Sequence, residues 1–332
     1  MPGLKKKLMA HPRGIITHWL AGNILNLGII SLVQGILTKN VNVMKIPANH
    51  GLILPVFMNL MSGIKVKIRQ GKYLHGKDIL NTVLFVYCEK EDTESQIQLS
   101  LNSDVRIIWG GEDAVKNVLA LPKKTGTEDI IFGPKYSFAL IGKNSFDEKR
   151  LEELAYKLAL DVSMFEQRAC TSPHTIFIEK GSKISPIDWT KALVKGFEKV
   201  QKRMPKPRIS ADEAYSIVEI RSRTLLSGLV FSSEGTEWTV IYSDEPGLAE
   251  PHYSRVISVR PIEDIENILE YLDHSTQTLG LILDEKRKQE FARKAAARGI
   301  ERITDIGQMH IYDYPWDGIF PLNRLVRWVS ME

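Results

Sequence analysis

The sequence predicts an α/β protein made of two units, each a mainly parallel sheet flanked by helices. Its 332 residues exceed the size at which one hydrophobic core usually stops growing, so a chain of this length normally divides into domains. Apolar segments of strand length alternate with segments of helical length, as in sheets joined by crossover helices. Most predicted strands are continuous apolar runs, which is typical of a sheet buried on both faces.

The first half of the chain carries this alternation most clearly. Short apolar runs predict strands at 14–19, 41–46, 82–87, 105–109, 130–132 and 138–141. Apolar residues at helical spacing predict helices at 24–38, 52–63, 113–119 and 146–168. Pro47 closes the second strand, and the pair Gly110–Gly111 follows the fourth.

The second half repeats the pattern and ends in a short tail. Strands are predicted at 175–178, 228–232, 236–243, 256–259, 279–283 and 323–329. Helices are predicted at 186–204, 212–224, 262–272 and 284–298. We expect a first domain at 11–133, a second domain at 134–318 and a tail at 319–332 whose strand pairs with another subunit in a homo-oligomer.

Composition and charge narrow the functional classes. The chain has 44 basic and 40 acidic residues, a net charge of +4, which is too balanced for a nucleic-acid surface. Two cysteines exclude a disulfide-built scaffold and fit the cytoplasm. The apolar run 14–37 contains His18, Asn23, Asn26 and Gln34, so we expect no membrane span. No cluster has metal-ligand spacing, and we expect no metal.

Cys170 is the candidate nucleophile. It lies in a polar loop between the helix predicted at 146–168 and the strand at 175–178. A turn between two packed elements can expose a reactive thiolate. The alternative is a small buried core residue, since cysteine is among the most buried residue types. His174 could lower the pKa of the thiol or serve only as a polar loop residue.

Several short motifs in a fixed order resemble the acyl-CoA reductase family of the aldehyde dehydrogenase superfamily. The resemblance begins near His11 and reaches the C-terminus. It rests on order and spacing, because no single motif is specific. The matching segments read HPRGI at 11–15 with Asn23, VMKIP at 43–47, IIWGGE at 107–112, FGPKYS at 132–137, QRAC at 167–170, YPWDG at 314–318 and RW at 327–328.

The resemblance implies an aldehyde-dehydrogenase-like fold, with a Rossmann-type cofactor-binding domain at 11–133, a catalytic domain at 134–318 and two catalytic residues. Cys170 would form the covalent acyl thioester, and Asn23 would stabilise the oxyanion through its side-chain amide. On local sequence alone Asn23 is equally a turn residue. Family members carry a substantial segment before the residue that matches His11, so the cofactor domain is expected to be incomplete at its N-terminus.

The resemblance also implies three cofactor contacts. Lys45 would meet the adenosine ribose or its 2′-phosphate, and Gly110–Gly111 would approach the phosphates. Glu250 would bind the nicotinamide ribose, although Pro251 takes the matching place. The alternatives are a strand-end lysine in solvent and an ordinary tight turn. Because no acidic residue follows Pro47 closely, NADPH is favoured over NADH.

One departure from the superfamily points to the reaction. Enzymes that release acids have a glutamate where this chain has Ile131 and Phe132. An apolar pair cannot deprotonate water, so an acyl-cysteine would be protected from hydrolysis. Glu128 and Asp129 are nearby substitutes, but they precede the strand rather than end it.

The expected function is NADPH-dependent reduction of long-chain fatty acyl thioesters to aldehyde through an acyl-cysteine. The donor would be fatty acyl-CoA or an acyl-donating partner protein of the acyl-protein synthetase or transferase type. Two alternatives remain: a catalytically incompetent scaffold subunit, and a thiol-dependent acyltransferase or thioesterase without hydride chemistry.

Overall fold

Strands and helices alternate through residues 7–331, the part of the chain that a computed structural model describes. The strands are β1 (Lys7–Pro12), β2 (Ile15–Trp19), β3 (Val41–Lys45), β4 (Lys65–Lys67), β5 (Tyr73–His75), β6 (Val83–Val86), β7 (Val105–Trp109), β8 (Glu128–Phe132), β9 (Tyr136–Ile141), β10 (Pro173–Glu179), β11 (Leu229–Ser232), β12 (Thr239–Tyr242), β13 (Val256–Ile262), β14 (Thr276–Ile282), β15 (Arg302–Asp305) and β16 (Val326–Met331). The helices are α1 (Leu25–Leu37), α2 (Ile53–Asn59), α3 (Gly76–Leu80), α4 (Thr93–Leu101), α5 (Glu112–Ala120), α6 (Leu151–Ser163), α7 (Pro186–Arg203), α8 (Ala211–Thr224), α9 (Glu285–Ala296) and α10 (Pro321–Arg324). The predicted α/β class is confirmed.

The chain divides into two compact units. Unit 1 contains residues 1–134 and 319–332, and unit 2 contains residues 135–318. Among residues 7–331, no helix combines the length and the apolar character that crossing a bilayer requires.

Unit 1 is built on a five-stranded parallel sheet. Its strand order is β6-β3-β2-β7-β8. The chain moves outward in one direction from β2 to β6 and then in the other direction from β7 to β8, so the order reverses between β2 and β7. Ligands of open α/β sheets bind at the carboxyl ends of the strands at such a switch point.

The C-terminal strand also belongs to unit 1. β16 pairs antiparallel with β1 of the same chain, from Lys7 opposite Met331 to Pro12 opposite Val326. The strand expected at 323–329 therefore begins later, because α10 occupies Pro321–Arg324. Pairing with another subunit stays a prediction.

Unit 2 is built on a seven-stranded sheet. Its order is β11-β12-β13-β10-β9-β14-β15, and only β11 runs antiparallel to its neighbour. All seven residues of the central strand β10 are buried. One face packs against α6 and α7 around Trp189 and Phe197, and the other packs against α9 around Phe291. The continuous apolar strands are thus covered on both faces.

Two predicted helices differ from the structure. The helix expected at 146–168 ends at Ser163, because Phe165, Glu166 and Gln167 take left-handed backbone angles with φ of 54°, 51° and 60°. The helix expected at 262–272 is a 3₁₀ helix over Ile265–Tyr271. Pro261 resembled a helix start, but its pairing with Ile178 of β10 keeps the chain extended through Ile262.

Candidate active site

Cys170 lies in a tight loop between α6 and β10, as predicted. The residue is half-buried. Its carbonyl accepts a hydrogen bond of 2.6 Å from Ser137 Oγ, which in turn accepts one of 3.2 Å from the backbone N–H of Thr278. The loop is therefore fixed at the amino ends of three adjacent strands, β9, β10 and β14.

Two short left-handed segments hold the approach to Cys170. Residues 165–167 and 253–255 all have positive φ, and the N–H of Ser254 donates to the carbonyl of Glu166 at 3.0 Å. The buried amide of Gln167 donates to the carbonyls of Pro173 and Val256 at 3.0 and 2.8 Å. Because such backbone is unfavourable for residues other than glycine, these contacts must outweigh its energetic cost.

Burial raises the pKa of the Cys170 thiol to about 12, and the negative charge of Asp317 acts in the same direction. The side-chain amide of Gln277 and the backbone N–H groups of Cys170 and Thr171 oppose this shift by donating toward the sulfur. The thiol is thus protonated near neutral pH. Its activation requires a change in this environment.

Asp317 belongs to a small polar cluster beside the thiol. Burial raises the pKa of its carboxyl to about 6, although a hydrogen bond from the Gln277 amide lowers it. Glu301 adds a further upward effect, while Lys135, which pairs with Glu301 at 3.0 Å, lowers the pKa. Asp317 therefore changes charge near pH 6, within electrostatic range of the nucleophile.

Sequence reasoning did not identify Gln277 or Asp317 as site residues. Asp317 lies inside the motif Tyr314–Gly318 that carried the resemblance, so a signal existed. Gln277 had no such signal in the sequence, because a single glutamine in a threonine-rich strand forms no recognisable motif. Its position next to Cys170 arises only from the pairing of β14 with β9.

The nearby histidines do not supply a cation to the thiol. Burial lowers the pKa of His174 to about 4, so its ring is neutral, and it packs between Tyr136 and Tyr253. His310 bonds Thr171 Oγ1 at 2.9 Å and the carbonyl of Asp161 at 2.7 Å. The Asp161 carbonyl accepts from Nε2, and burial lowers the pKa of His310, which favours the neutral ring, in which Nδ1 accepts from Thr171.

A cavity of about 520 Å³ opens in unit 1. Trp19 and Leu20 line it at the end of β2, Lys45 lines it at the end of β3, and Trp109 lines it at the end of β7. It therefore lies at the carboxyl ends of the strands, at the switch point of the sheet. Apolar walls from Ile108 and Val118 suit a flat base, and the size suits the adenosine part of a dinucleotide.

Of the predicted cofactor residues, Lys45 lines this cavity. Lys90, which sequence reasoning missed, lines it too, and no acidic side chain of residues 7–331 does. Lys90 lies beyond the end of β6. It comes near Lys45 because β6 pairs in parallel with β3, so that both strands end at the same edge of the sheet. The two lysines make the cavity attractive to a phosphate group.

The glycine pair forms the turn from β7 to α5 beside this cavity. A Cβ on Gly110 would lie 2.9 Å from the Cβ of Ala114, so close helix packing requires glycine there. Gly111 has open space around it. Glu112 and Asp113 occupy the first turn of α5, which disfavours an anion at that helix end. The phosphate role of these glycines stays a prediction.

The remaining two predicted residues lie apart from this cavity. Asn23 is an exposed residue of unit 1 between β2 and α1. Glu250 is exposed in unit 2, where it lines a cavity of about 220 Å³ with Arg223, His252 and Arg260. Cys170 is not among the residues that line that cavity. The catalytic role of Asn23 and the cofactor role of Glu250 stay predictions.

The carboxyl end of β8 lacks a base, as the sequence indicated. Phe132 stacks on Trp109 with ring centroids 3.8 Å apart. The carboxylates that begin β8 are engaged elsewhere: Glu128 bonds Arg324, and Asp129 accepts two bonds from the buried Arg106 at 2.7 and 2.9 Å. Asp129 is three residues from Phe132, or about 10 Å along a strand.

No cluster of three or more histidine, cysteine or carboxylate side chains suited to a metal ion occurs among residues 7–331.

Solved structures define the fold class as that of the aldehyde dehydrogenases. Aldehyde dehydrogenase 21 from Physcomitrella patens superposes with a TM-score of 0.73 at 13% identity, covering 98% of this chain and 70% of that one. An NAD-dependent benzaldehyde dehydrogenase from Corynebacterium glutamicum gives 0.67 at 14%, covering 100% and 70%. These likenesses establish the fold.

Within that class, residues 5–328 match the family model described as acyl-CoA reductase (LuxC), and the chain belongs to this family. The long-chain acyl-protein thioester reductase of Vibrio harveyi is 31% identical over 330 residues, which are 97% of this chain. The protein of the same name from Aliivibrio fischeri is 27% identical over 329 residues, again 97% of this chain. The chain spans 65% of the length of each of these two relatives.

Proposed function

We propose that the chain reduces long-chain acyl thioesters to aldehydes, with NADPH as hydride donor. The observation that carries the proposal is the apolar carboxyl end of β8, where Phe132 stacks on Trp109 and the carboxylates that begin the strand are held by arginines. By the superfamily resemblance this is the position of the glutamate that activates water, so without a base in that place an acyl group on Cys170 would persist until it is reduced.

Cys170 attacks the carbonyl carbon of the acyl thioester. The new carbon–sulfur bond forms the acyl-cysteine, and the donor thiol leaves with the proton that Cys170 gives up. When bound, a nicotinamide nucleotide would supply the hydride for the reduction of this thioester. Hydride addition would leave a hemithioacetal alkoxide on Cys170, which re-forms the carbonyl as its carbon–sulfur bond breaks and the sulfur takes up a proton, so the aldehyde is freed and the thiol is regenerated.

Asp317 and Gln277 are two residues that influence the pKa of the Cys170 thiol. Loss of a proton from Cys170 is easier when Asp317 is neutral, because its negative charge raises the pKa of the thiol. The Gln277 amide donates toward the sulfur and favours the thiolate. For the oxyanion of the tetrahedral species we keep the assignment to Asn23, on the family resemblance alone. One such donor typically contributes about 3 kcal/mol.

The switch-point cavity of unit 1 supports the cofactor assignment. Its apolar walls would hold the adenine, and the ammonium groups of Lys45 and Lys90 would meet a 2′-phosphate. Because no carboxylate lines the cavity, nothing there would repel that phosphate. We therefore propose NADPH rather than NADH.

The acyl donor is proposed to be a protein that carries a fatty acyl thioester. The matched relatives are named as acyl-protein thioester reductases, and this chain shares their family. An acyl-CoA, which has the same thioester chemistry, is the second donor to test.

A noncatalytic scaffold role is the competing proposal, and one observation favours it. Burial raises the pKa of the Cys170 thiol to about 12, so little thiolate is present near neutral pH. Such a cysteine would be inert unless substrate binding changes its surroundings.

The test is aldehyde formation from myristoyl-CoA and from a purified acylated donor protein, measured by gas chromatography alongside oxidation of NADPH. We expect aldehyde and NADP⁺ in equal amounts, and neither from Cys170→Ala. Cys88→Ala is the matched control, because Cys88 is the other cysteine and is buried in unit 1. Failure of both donors to yield aldehyde would favour the scaffold.

A further inference from the structure

Unit 1 exposes an unusual run of apolar side chains on α2 and the 3₁₀ turn that follows it. Leu54 and Met58 point inward and are buried at 1% and 3% exposure. The residues between and around them, which are 50% to 73% exposed, are Leu52, Ile53, Val56, Phe57 and Leu60. A contiguous apolar surface of this kind marks an interaction site more often than it marks free solvent-facing surface.

The β4–β5 hairpin continues this surface. The N–H of Gly76 donates to the carbonyl of Ile64 at 2.8 Å, and a Cβ on Gly76 would lie 1.7 Å from the carbonyl oxygen of Met61. The end of the hairpin is therefore packed directly onto the 3₁₀ turn Leu60–Gly63. The hairpin adds four exposed apolar side chains, Val66, Ile68, Tyr73 and Leu74.

Basic side chains border this apolar surface. Residues 51–77 contain no Asp or Glu, and Asp78 is the first acidic residue of the whole sequence. Five exposed basic residues lie on the hairpin and its flanks: Lys65, Lys67, Arg69, Lys72 and Lys77. None of them has an ion-pair partner among residues 7–331, although Lys65 lies 4.2 Å above the ring of Tyr73. We call residues 52–77 the basic apolar face.

The basic helix α9 of unit 2 differs in this respect. On α9, Lys288 pairs with Asp305 at 3.1 Å, and Lys294 pairs with Glu266 at 2.5 Å. These two lysines are therefore paired within the protein, whereas no basic residue of the basic apolar face has an ion-pair partner among residues 7–331.

We propose that the basic apolar face docks unit 1 onto an anionic lipid bilayer. Apolar side chains enter the boundary between headgroups and acyl chains, while surrounding lysines and arginines meet the lipid phosphates. A protein partner fits less well, because lysine is depleted at protein–protein interfaces. This inference rests on the surface of unit 1 and does not depend on the proposed reaction.

The test is sedimentation of the full chain with vesicles of two compositions. We expect binding to equal parts phosphatidylglycerol and phosphatidylcholine, little binding to phosphatidylcholine alone, and release at high salt because screening weakens the attraction to phosphate. Equal binding to both vesicles, or binding to neither, would overturn the proposal.

Two double variants separate the contributions of charge and apolar insertion. Lys67→Gln with Lys72→Gln should weaken vesicle binding about 30-fold, at about fivefold for each charge. Phe57→Ser with Leu60→Ser should weaken it by at least about tenfold. Circular dichroism and thermal unfolding establish that each variant is folded.

Matched controls come from unit 2. Lys195→Gln with Lys199→Gln makes the same change in net charge, and Leu225→Ser with Leu226→Ser removes two exposed leucines. Both should bind vesicles as the parent chain does. If the controls lose binding equally, net charge or general hydrophobicity is responsible. If Phe57→Ser with Leu60→Ser instead dissociates an oligomer without changing vesicle binding, the face joins copies of this chain. Either result contradicts the proposal.

Discussion

Arg255 holds Glu166 through two parallel hydrogen bonds, from Nε to Oε2 at 2.9 Å and from Nη2 to Oε1 at 2.5 Å. The guanidinium is almost fully buried, and the carboxylate belongs to the left-handed segment that leads to Cys170. The pair therefore joins the two strained segments 165–167 and 253–255. It fixes the position from which the nucleophile loop begins.

Glu166→Gln should lower the free energy of unfolding by about 3 kcal/mol, because it leaves a buried guanidinium without its counter-charge. Urea denaturation measures this loss. Glu213→Gln is the control, since its pair with Arg168 lies at the surface and should contribute less than about 1 kcal/mol. Equal losses in the two variants would show that the Glu166–Arg255 pair has no special structural role.

Asp317→Asn should increase the reactivity of Cys170. Removing the negative charge takes away one cause of the raised pKa of the thiol, so more thiolate exists at a fixed pH. The rate of iodoacetamide alkylation at pH 8, followed by mass spectrometry of the Cys170 peptide, should rise about tenfold. Asp313→Asn changes the charge on the same loop at an exposed position and should leave the rate unchanged. An unchanged rate in Asp317→Asn would contradict the electrostatic coupling.

Lys90→Ala and Lys45→Ala should weaken NADPH binding about tenfold and leave NADH binding nearly unchanged, because a charge-assisted contact to the 2′-phosphate is lost. Fluorescence titration with both nucleotides measures the two affinities. Lys116→Ala is the control, since Lys116 is exposed on α5 and pairs with Glu112. Equal weakening of NADPH binding and NADH binding would show that these lysines do not contact the 2′-phosphate.

His18→Gln should make stability less sensitive to acid. Burial lowers the pKa of His18 to about 4 in the folded chain, below its ordinary value of 6.5, so the unfolded chain binds the proton first. This difference in pKa contributes about 3 kcal/mol to the free energy of unfolding above pH 6.5. The contribution is lost as the pH falls toward 4. Urea midpoints at pH 7 and 4.5 should differ less in His18→Gln than in the parent chain. An exposed substitution, His11→Gln, should leave the difference as it was.

The sequence predicted features that depend on short-range pattern. The continuous apolar strands were predicted from runs of apolar residues. The loop that carries Cys170 was predicted from the polar residues between a helical segment and a strand. Both are confirmed. The apolar character of the strand end at Ile131–Phe132 was also predictable, because it depends only on which residues stand there.

Features that depend on long-range pairing were not predictable. β1 has no strong strand signal of its own and exists through its pairing with β16, more than 300 residues away. Pro261 favours a helix start on local sequence alone, but its pairing with β10 keeps this segment in a strand. Gln277 and Lys90 reach their sites only after strands assemble, so no local pattern identifies them. The left-handed angles at 165–167 likewise arise from tertiary contacts that outweigh helix propensity.

The most direct test of the central claim is the fate of an acyl group on Cys170. Intact-protein mass spectrometry after incubation with an acyl thioester should show one added acyl group, mapped to Cys170 and removed by hydroxylamine. NADPH should then discharge it as aldehyde, with no free fatty acid in its absence. An acyl group that persists in Cys170→Ala, or that leaves as free acid without NADPH, would contradict the account.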